Sequence, residues 1–194
     1  MRSLRLSVFA GLLTLAVAGC RAPAPTQIAK VEYPVLGGDT NALISVYERP
    51  TMFRVVSKTS GRDIVPGIDI YVDGQCSVRR FDGTELQKRI KPSELSALLS
   101  FFDESGFFRL SALQMDSKVE AAHRLPSGGI HGHSVTDSSY IGVFARTQSK
   151  TNHIERYALD HELEWYPDIA ELKLLGDVFR RVHEVVGEKR WSWK

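Results

Sequence analysis

The stretch GIDIYVDGQCSVRRFDGTELQKRI, residues 67–90, decides the fold. Ile68, Ile70 and Val72 alternate with Asp69, Tyr71 and Asp73, the period of a half-buried strand. Asp73-Gly74 then makes a tight turn, because these residue types tolerate the positive φ such turns need. Cys76 and Val78 carry the alternation onward, and Asp82-Gly83 makes a second turn. Leu86 and Ile90 lie on one face of a third strand. Three alternating strands joined by two Asp-Gly turns predict an antiparallel meander over 68–90.

Upstream, ALISVYERP and TMFRVVSK read as two strands interrupted by Pro50, which cannot donate to a ladder. Downstream, Leu95, Leu98, Leu99 and Phe102 form one apolar stripe, so residues 92–105 are predicted helical, closed by Gly106. FFRL after that glycine should pack back on the core. Residues 112–124 fit either a short helix or a loop. YIGVFAR and HIERYALD flank the polar TQSKTN and predict a second hairpin over 140–159. Ile169, Leu172, Leu175, Phe179, Val182 and Val186 predict a helix over 167–186, with Pro167 near its start and Gly187 at its end. This order of elements predicts an α+β domain: an antiparallel sheet with one face covered by two helices and the other open to solvent or a partner.

The amino terminus has a different logic. Arg2 and Arg5 precede twelve uncharged, mostly apolar residues, Leu6 to Val17. That run is too short to span a bilayer, which takes about 20 residues, but it suits a secretory signal. Val17-Ala18-Gly19-Cys20 resembles the lipobox of bacterial lipoproteins. The resemblance implies cleavage before Cys20, a diacylglycerol on its sulfur and acylation (palmitate) of the new amino terminus. Two or more chains anchor a protein stably, whereas one does not. The alternative is an ordinary secretory signal followed by a chance cysteine. Residues 20–40 carry Pro23, Pro25, Pro34, Gly37 and Gly38 and few large apolar side chains, so they read as a tether, leaving 41–194 as one domain. Arg21 follows the cysteine where aspartate would favour retention at the inner membrane. The expected location is therefore the cell envelope, on the outer membrane facing the periplasm in a Gram-negative host. The expected partners are the lipid bilayer and another envelope protein.

The chain has 25 basic and 23 acidic residues. Losing Arg2 and Arg5 with the signal leaves 23 of each, and a neutral chain gives no electrostatic reason to bind nucleic acid. With Cys20 lipidated, Cys76 is left as a single thiol, most simply a small buried hydrophobe. The run from Tyr71 to Leu110 also resembles small uncharacterised bacterial envelope proteins, in which an Asp-Gly hairpin leads to such a helix. Thr136-Asp137-Ser138 matches a later segment of that pattern. The resemblance spans about residues 43–186, rests on structural residues and implies no activity.

One stretch is dense in chemistry. RLPSGGIHGHSVTDSS reads as a loop containing His131, His133 and Asp137, with His123 just upstream. Two histidines one residue apart can bind one ion, and imidazole suits zinc. A catalytic zinc needs a third protein ligand, for which His123 and Asp137 are candidates. The metallo-β-lactamase pattern His-x-His-x-Asp-His fails, because Val135 and Thr136 occupy its last two places. HELEW lacks the second histidine of a zincin, with Trp165 in its place. Ser127 lacks the G-x-S-x-G elbow of a nucleophile. Arg180, Arg181 and His183 are expected on the solvated face of the last helix. Trp191 and Trp193 alternate in the tail, and would either cap the core or meet a partner or lipid headgroups. The favoured expectation is a non-enzymatic envelope lipoprotein without a cofactor. The alternative is a metal-binding protein or metal-dependent hydrolase using His131 and His133 with zinc.

Overall fold

The computed structural model describes residues 41–124 and 135–189. The stretches read as signal and tether (1–40, with Cys20), and His131, His133, Trp191 and Trp193, lie outside the described residues. The fold is α+β, built on a six-stranded antiparallel sheet with four helices.

The strands are β1 (Ile44–Pro50), β2 (Val55–Val56), β3 (Asp63–Ile64), β4 (Gly67–Ile70), β5 (Gln75–Arg79), β6 (Glu85–Arg89), β7 (Ser139–Arg146) and β8 (Thr151–Tyr157). The helices are α1 (Pro92–Glu104), α2 (Ala112–His123), α3 (Leu159–Trp165) and α4 (Ala170–Val186). The expected meander is β4-β5-β6 and the expected second hairpin is β7-β8. Between them sits β1, giving the order β6-β5-β4-β1-β7-β8, while β2 and β3 pair separately. The turns between the meander strands use Gly74 at φ 78° and Gly83 at φ 81°, where a side chain would be strained.

Register sorts the sheet into two faces. Ile44 pairs with Ile70 and Ala145, and Val46 with Ile68 and Val143; Cys76, Val78 and Ile154 continue the same rows. All are buried, with Leu95, Leu98 and Phe102 of α1, Met115 and Val119 of α2, and Leu172, Leu175, Phe179 and Val182 of α4 in the same core. Phe102 meets Phe107 edge to face at 5.0 Å, so FFRL packs back as a single 3-10 turn over Phe107–Arg109.

The opposite face carries polar and aromatic side chains. Ser45 donates to Asp69 Oδ1 at 2.6 Å, and Arg79 pairs with the other Asp69 oxygen while its Nε donates to Val65 O at 2.8 Å. Alongside, Tyr47 lies flat over Gly142, where a Cβ would sit inside the ring's van der Waals envelope. The two sheet edges are blunted differently. β6 carries Glu85, Lys88 and Arg89. β8 is covered: Asn152 donates to the carbonyls of Phe107 (2.7 Å) and Leu110 (3.1 Å), and Arg156 pairs with Glu162 and Asp116.

Several expectations change. Val72 belongs to a turn and is 69% exposed, because β4 ends at Ile70. Only Val55–Val56 of TMFRVVSK is strand. Residues 112–123 are helix α2, with the Ser111 hydroxyl accepting from Gln114 N. The second hairpin ends at Tyr157, because Ala158 turns into the left-handed region (φ 54°) and starts α3. The last helix begins at Ala170 rather than 167. Its Arg180 and Arg181 are exposed, but His183 is 2% exposed and its Nδ1 lies 2.9 Å from Phe179 O, so His183 is a core residue.

Candidate binding cleft

Three strand ends meet at one end of the sheet. Pro50 of β1 pairs with Ser139 of β7, and Tyr140 pairs with Tyr157 at the close of β8. Pro50 ends the β1 ladder, since its nitrogen has no hydrogen to give. The chain departs there through Thr51, Met52 and Phe53, while α3 starts from the end of β8 and brings Asp160 and His161 to the same place.

The space between is a cleft of about 490 Å³ lined by Glu48, Pro50, Thr51, Met52, Phe53, Asp137, Ser138, Ser139, Asp160 and His161. Its walls are fixed by hydrogen bonds. Thr51 Oγ1 donates to Ser138 O at 2.7 Å, Ser139 Oγ donates to Glu48 Oε1 at 2.6 Å, and Ala158 N donates to Ser139 O at 3.0 Å. Glu48 is only 3% exposed at the inner end, whereas Asp137 and Asp160 are open to solvent. His161 stacks on Trp165 with ring centroids 5.5 Å apart. The lining holds three carboxylates, and no lysine or arginine among the described residues. Its rim is apolar: Met52 is 70% and Phe53 40% exposed, and Phe53 leans on Phe81 at 6.3 Å.

The expected metal residues are divided. Asp137 lines this cleft. His123 lines another cavity, of about 300 Å³, with Val135, Tyr157, Ala158, Glu162, Trp165 and Tyr166, and meets Tyr166 edge-on at 5.0 Å. Among the described residues no three His, Cys, Asp or Glu side chains are placed to hold a metal ion, and no helix is long and apolar enough to cross a membrane.

A separate polar cluster lies on the second sheet face. Tyr47 Oη lies 2.9 Å from His153 Nε2 and donates to Glu155 at 3.2 Å, and Arg49 pairs with Glu155 at 3.0 Å while resting 4.3 Å above the Tyr140 ring. Burial, reinforced by Glu155, pushes the Tyr47 phenol well above its usual range, so it stays a donor. Burial also lowers the His153 imidazole, against the pull of Glu155. With Tyr47 only 1% exposed, this cluster ties β1 to β8 rather than presenting groups to a substrate. Cys76 is likewise closed off, at 0% exposure, its thiol pushed up to about 11 by burial.

Met52, Phe53, Glu48 and Asp160 carry no site signal of their own in the sequence, since TMFRVVSK has strand composition and HELEW lacks the second histidine of a zincin. The available signal was Pro50: a proline that ends a strand leaves the next apolar side chains without a ladder to hold them. A scan against protein-family models matches none, and neither curated proteins nor solved structures give a significant match.

Proposed function

We propose that the chain is a lipid-anchored protein of the cell envelope whose α+β domain is a non-enzymatic binding module. The lipobox-like Val17-Ala18-Gly19-Cys20 supports the anchor, through acyl chains on Cys20. Binding rests on one observation: Met52 and Phe53 stand exposed at the mouth of a preformed cleft. Apolar side chains kept in water beside a concave surface mark a contact site for another molecule. The partner is an envelope protein, and the outer membrane facing the periplasm is the place Arg21 favours in a Gram-negative host.

The test joins anchor and surface in living cells. Metabolic labelling with an alkyne-bearing palmitate should mark the native chain and not Cys20→Ser, which should leave the membrane fraction. A photo-crosslinking amino acid at position 53 should yield a discrete adduct, whereas one at Leu113, exposed on α2, should not. Label retained in Cys20→Ser would refute the anchor. Identical adducts from both positions, or none from 53, would refute the module.

A further inference from the structure

Strand β6 closes one end of the six-stranded sheet, and among the described residues no strand pairs with its outer edge. We infer that this edge binds the same edge of a second copy of the chain, the two β6 strands running antiparallel about a two-fold axis at Gln87; this goes beyond the binding-module reading and does not rest on it. Hydrogen-bond direction comes first. Arg80 N donates to Thr84 O and Ile90 N donates to Gly74 O, both at 2.9 Å, so the even-numbered residues of β6 exchange bonds with β5. The N–H and C=O groups of Glu85, Gln87 and Arg89 therefore point away from the sheet, and all three residues are exposed. Lys58 N donates to Gly83 O at 2.8 Å and closes the edge at the turn, which leaves Glu85–Arg89 as the open ladder.

Charge then selects the partner. An edge lined with charged side chains turns away most strands. A second copy is the exception, because ELQKR complements itself when reversed. With Gln87 opposite Gln87, Glu85 meets Arg89 of the second copy on both sides of the axis, and all of these residues point their backbone groups outward. Leu86 then faces the apolar stem of Lys88 of the second copy, whose ammonium is held by Glu188 and donates to Gly187 O at 3.1 Å. Sliding the strands by one pairing step either way sets Gln87 against a charge. A further step sets Glu85 on Glu85 or Arg89 on Arg89. Existing contacts are compatible with the match. Ser57 donates to Glu85 Oε1, and a carboxylate accepts several hydrogen bonds at once. Arg89 reaches Asp73 at 3.5 Å in an exposed pair. The product is one continuous sheet across two copies.

The test uses the full chain, with detergent micelles in excess. Sedimentation equilibrium at matched solvent density, which weighs the protein alone, should find a dimer that dissociates on dilution. Glu85→Lys sets like charges opposite each other at both outer pairs, and so does Arg89→Glu. Each should weaken self-association about tenfold or more while leaving the circular dichroism spectrum unchanged. Mixed together, the two variants regain opposite charges at both pairs, and the mixture should associate as tightly as the native chain. Gln87→Cys reads the register. A hydrogen-bonded antiparallel pair holds its Cα atoms about 5.5 Å apart, within disulfide range, so mild oxidation should link two copies. Leu113→Cys, exposed on α2, should link far fewer. A native chain that stays monomeric, a dimer unchanged in both single variants, or a mixture no tighter than either variant alone would overturn the proposal. Equal disulfide yields from positions 87 and 113, or a Gln87→Cys product joined to a different protein, would overturn it as well.

Discussion

Replacing Gly142 with alanine should unfold the second sheet face around Tyr47, and the cost can be worked from the packing. Gly142 faces Tyr47 across the β1–β7 pair, and a Cβ there would fall within the ring itself. Tyr47 is 1% exposed and is held at its tip by His153 and Glu155, so the ring cannot swing aside without giving up those bonds. Overpacking of this kind costs about 1–3 kcal/mol, and losing the phenol's hydrogen bonds adds about 1 kcal/mol. Gly142→Ala should therefore destabilise by about 2–4 kcal/mol. Tyr47→Ala should cost a similar amount through its cavity, roughly 3–5 kcal/mol. In the Tyr47→Ala background the sign should reverse. With the ring gone, alanine in a strand is better than glycine by about 0.5–1 kcal/mol. Urea unfolding of the full chain in mild detergent, followed by circular dichroism for all four proteins, reads the coupling directly. If Gly142→Ala costs as much without Tyr47 as with it, the close approach is not what demands glycine, and the reasoning fails.

Other predictions follow from the same chemistry. Arg79→Met should cost about 3–5 kcal/mol, because it strips the guanidinium from Asp69, whose side chain is 0% exposed; Asp69→Leu on top should recover much of the loss. A loss no larger than that from Arg54→Met, at an exposed pair, would count against it. His153 makes stability depend on pH. Unfolded imidazole takes a proton near pH 6.5, but burial lowers the folded value. The stability tied to neutral His153 is thus complete above about pH 6.5 and drains as pH falls through the folded value. Thermal melts at decreasing pH should show this slope, and His153→Gln should flatten it; an unchanged slope in the variant would assign the effect elsewhere. Cys76, with its thiol at about 11 and no exposure, should resist iodoacetamide in the native chain at mildly alkaline pH and react once denatured. Rapid native alkylation would contradict the burial.

Much of the architecture is legible in the sequence because its signals are local. The Asp-Gly turns at 73–74 and 82–83 fix the meander within one stretch, and the stripes Leu95/Leu98/Phe102 and Leu172/Leu175/Phe179/Val182 fix α1 and α4. What escaped is set by tertiary context. Nothing in ALISVYERP announces that β1 is the central strand, buried on both faces, although Tyr47 and Val46 are both fully covered. The alternation through HIERYALD gives no hint that Ala158 adopts φ 54° and sends the chain into α3. His183 sits polar in an otherwise apolar row, and its contact with Phe179 O one turn earlier shows how a ring nitrogen is accommodated there.

The cleft was the least legible feature because no short stretch contains it. Glu48, Asp137 and Asp160 come together only when the ends of β1, β7 and β8 are brought side by side. Yet its residues break the folding rules in a consistent way. A carboxylate lies buried at Glu48 while large apolar side chains stand in water at Met52 and Phe53, within the same lining. Buried carboxylates are held by partners, and Ser139 donates to Glu48. Buried Asp69 is matched by Arg79 and buried Glu188 by Arg80 and Lys88. Exposed Val72 and Leu113 fall singly, one in a turn and one on a helix surface. Large apolar side chains left in water beside a concave surface are hard to ascribe to stability, since their exposure costs free energy in the isolated chain. That exposure becomes favourable when something apolar covers Met52 and Phe53. That makes this end of the sheet the place to look for a partner.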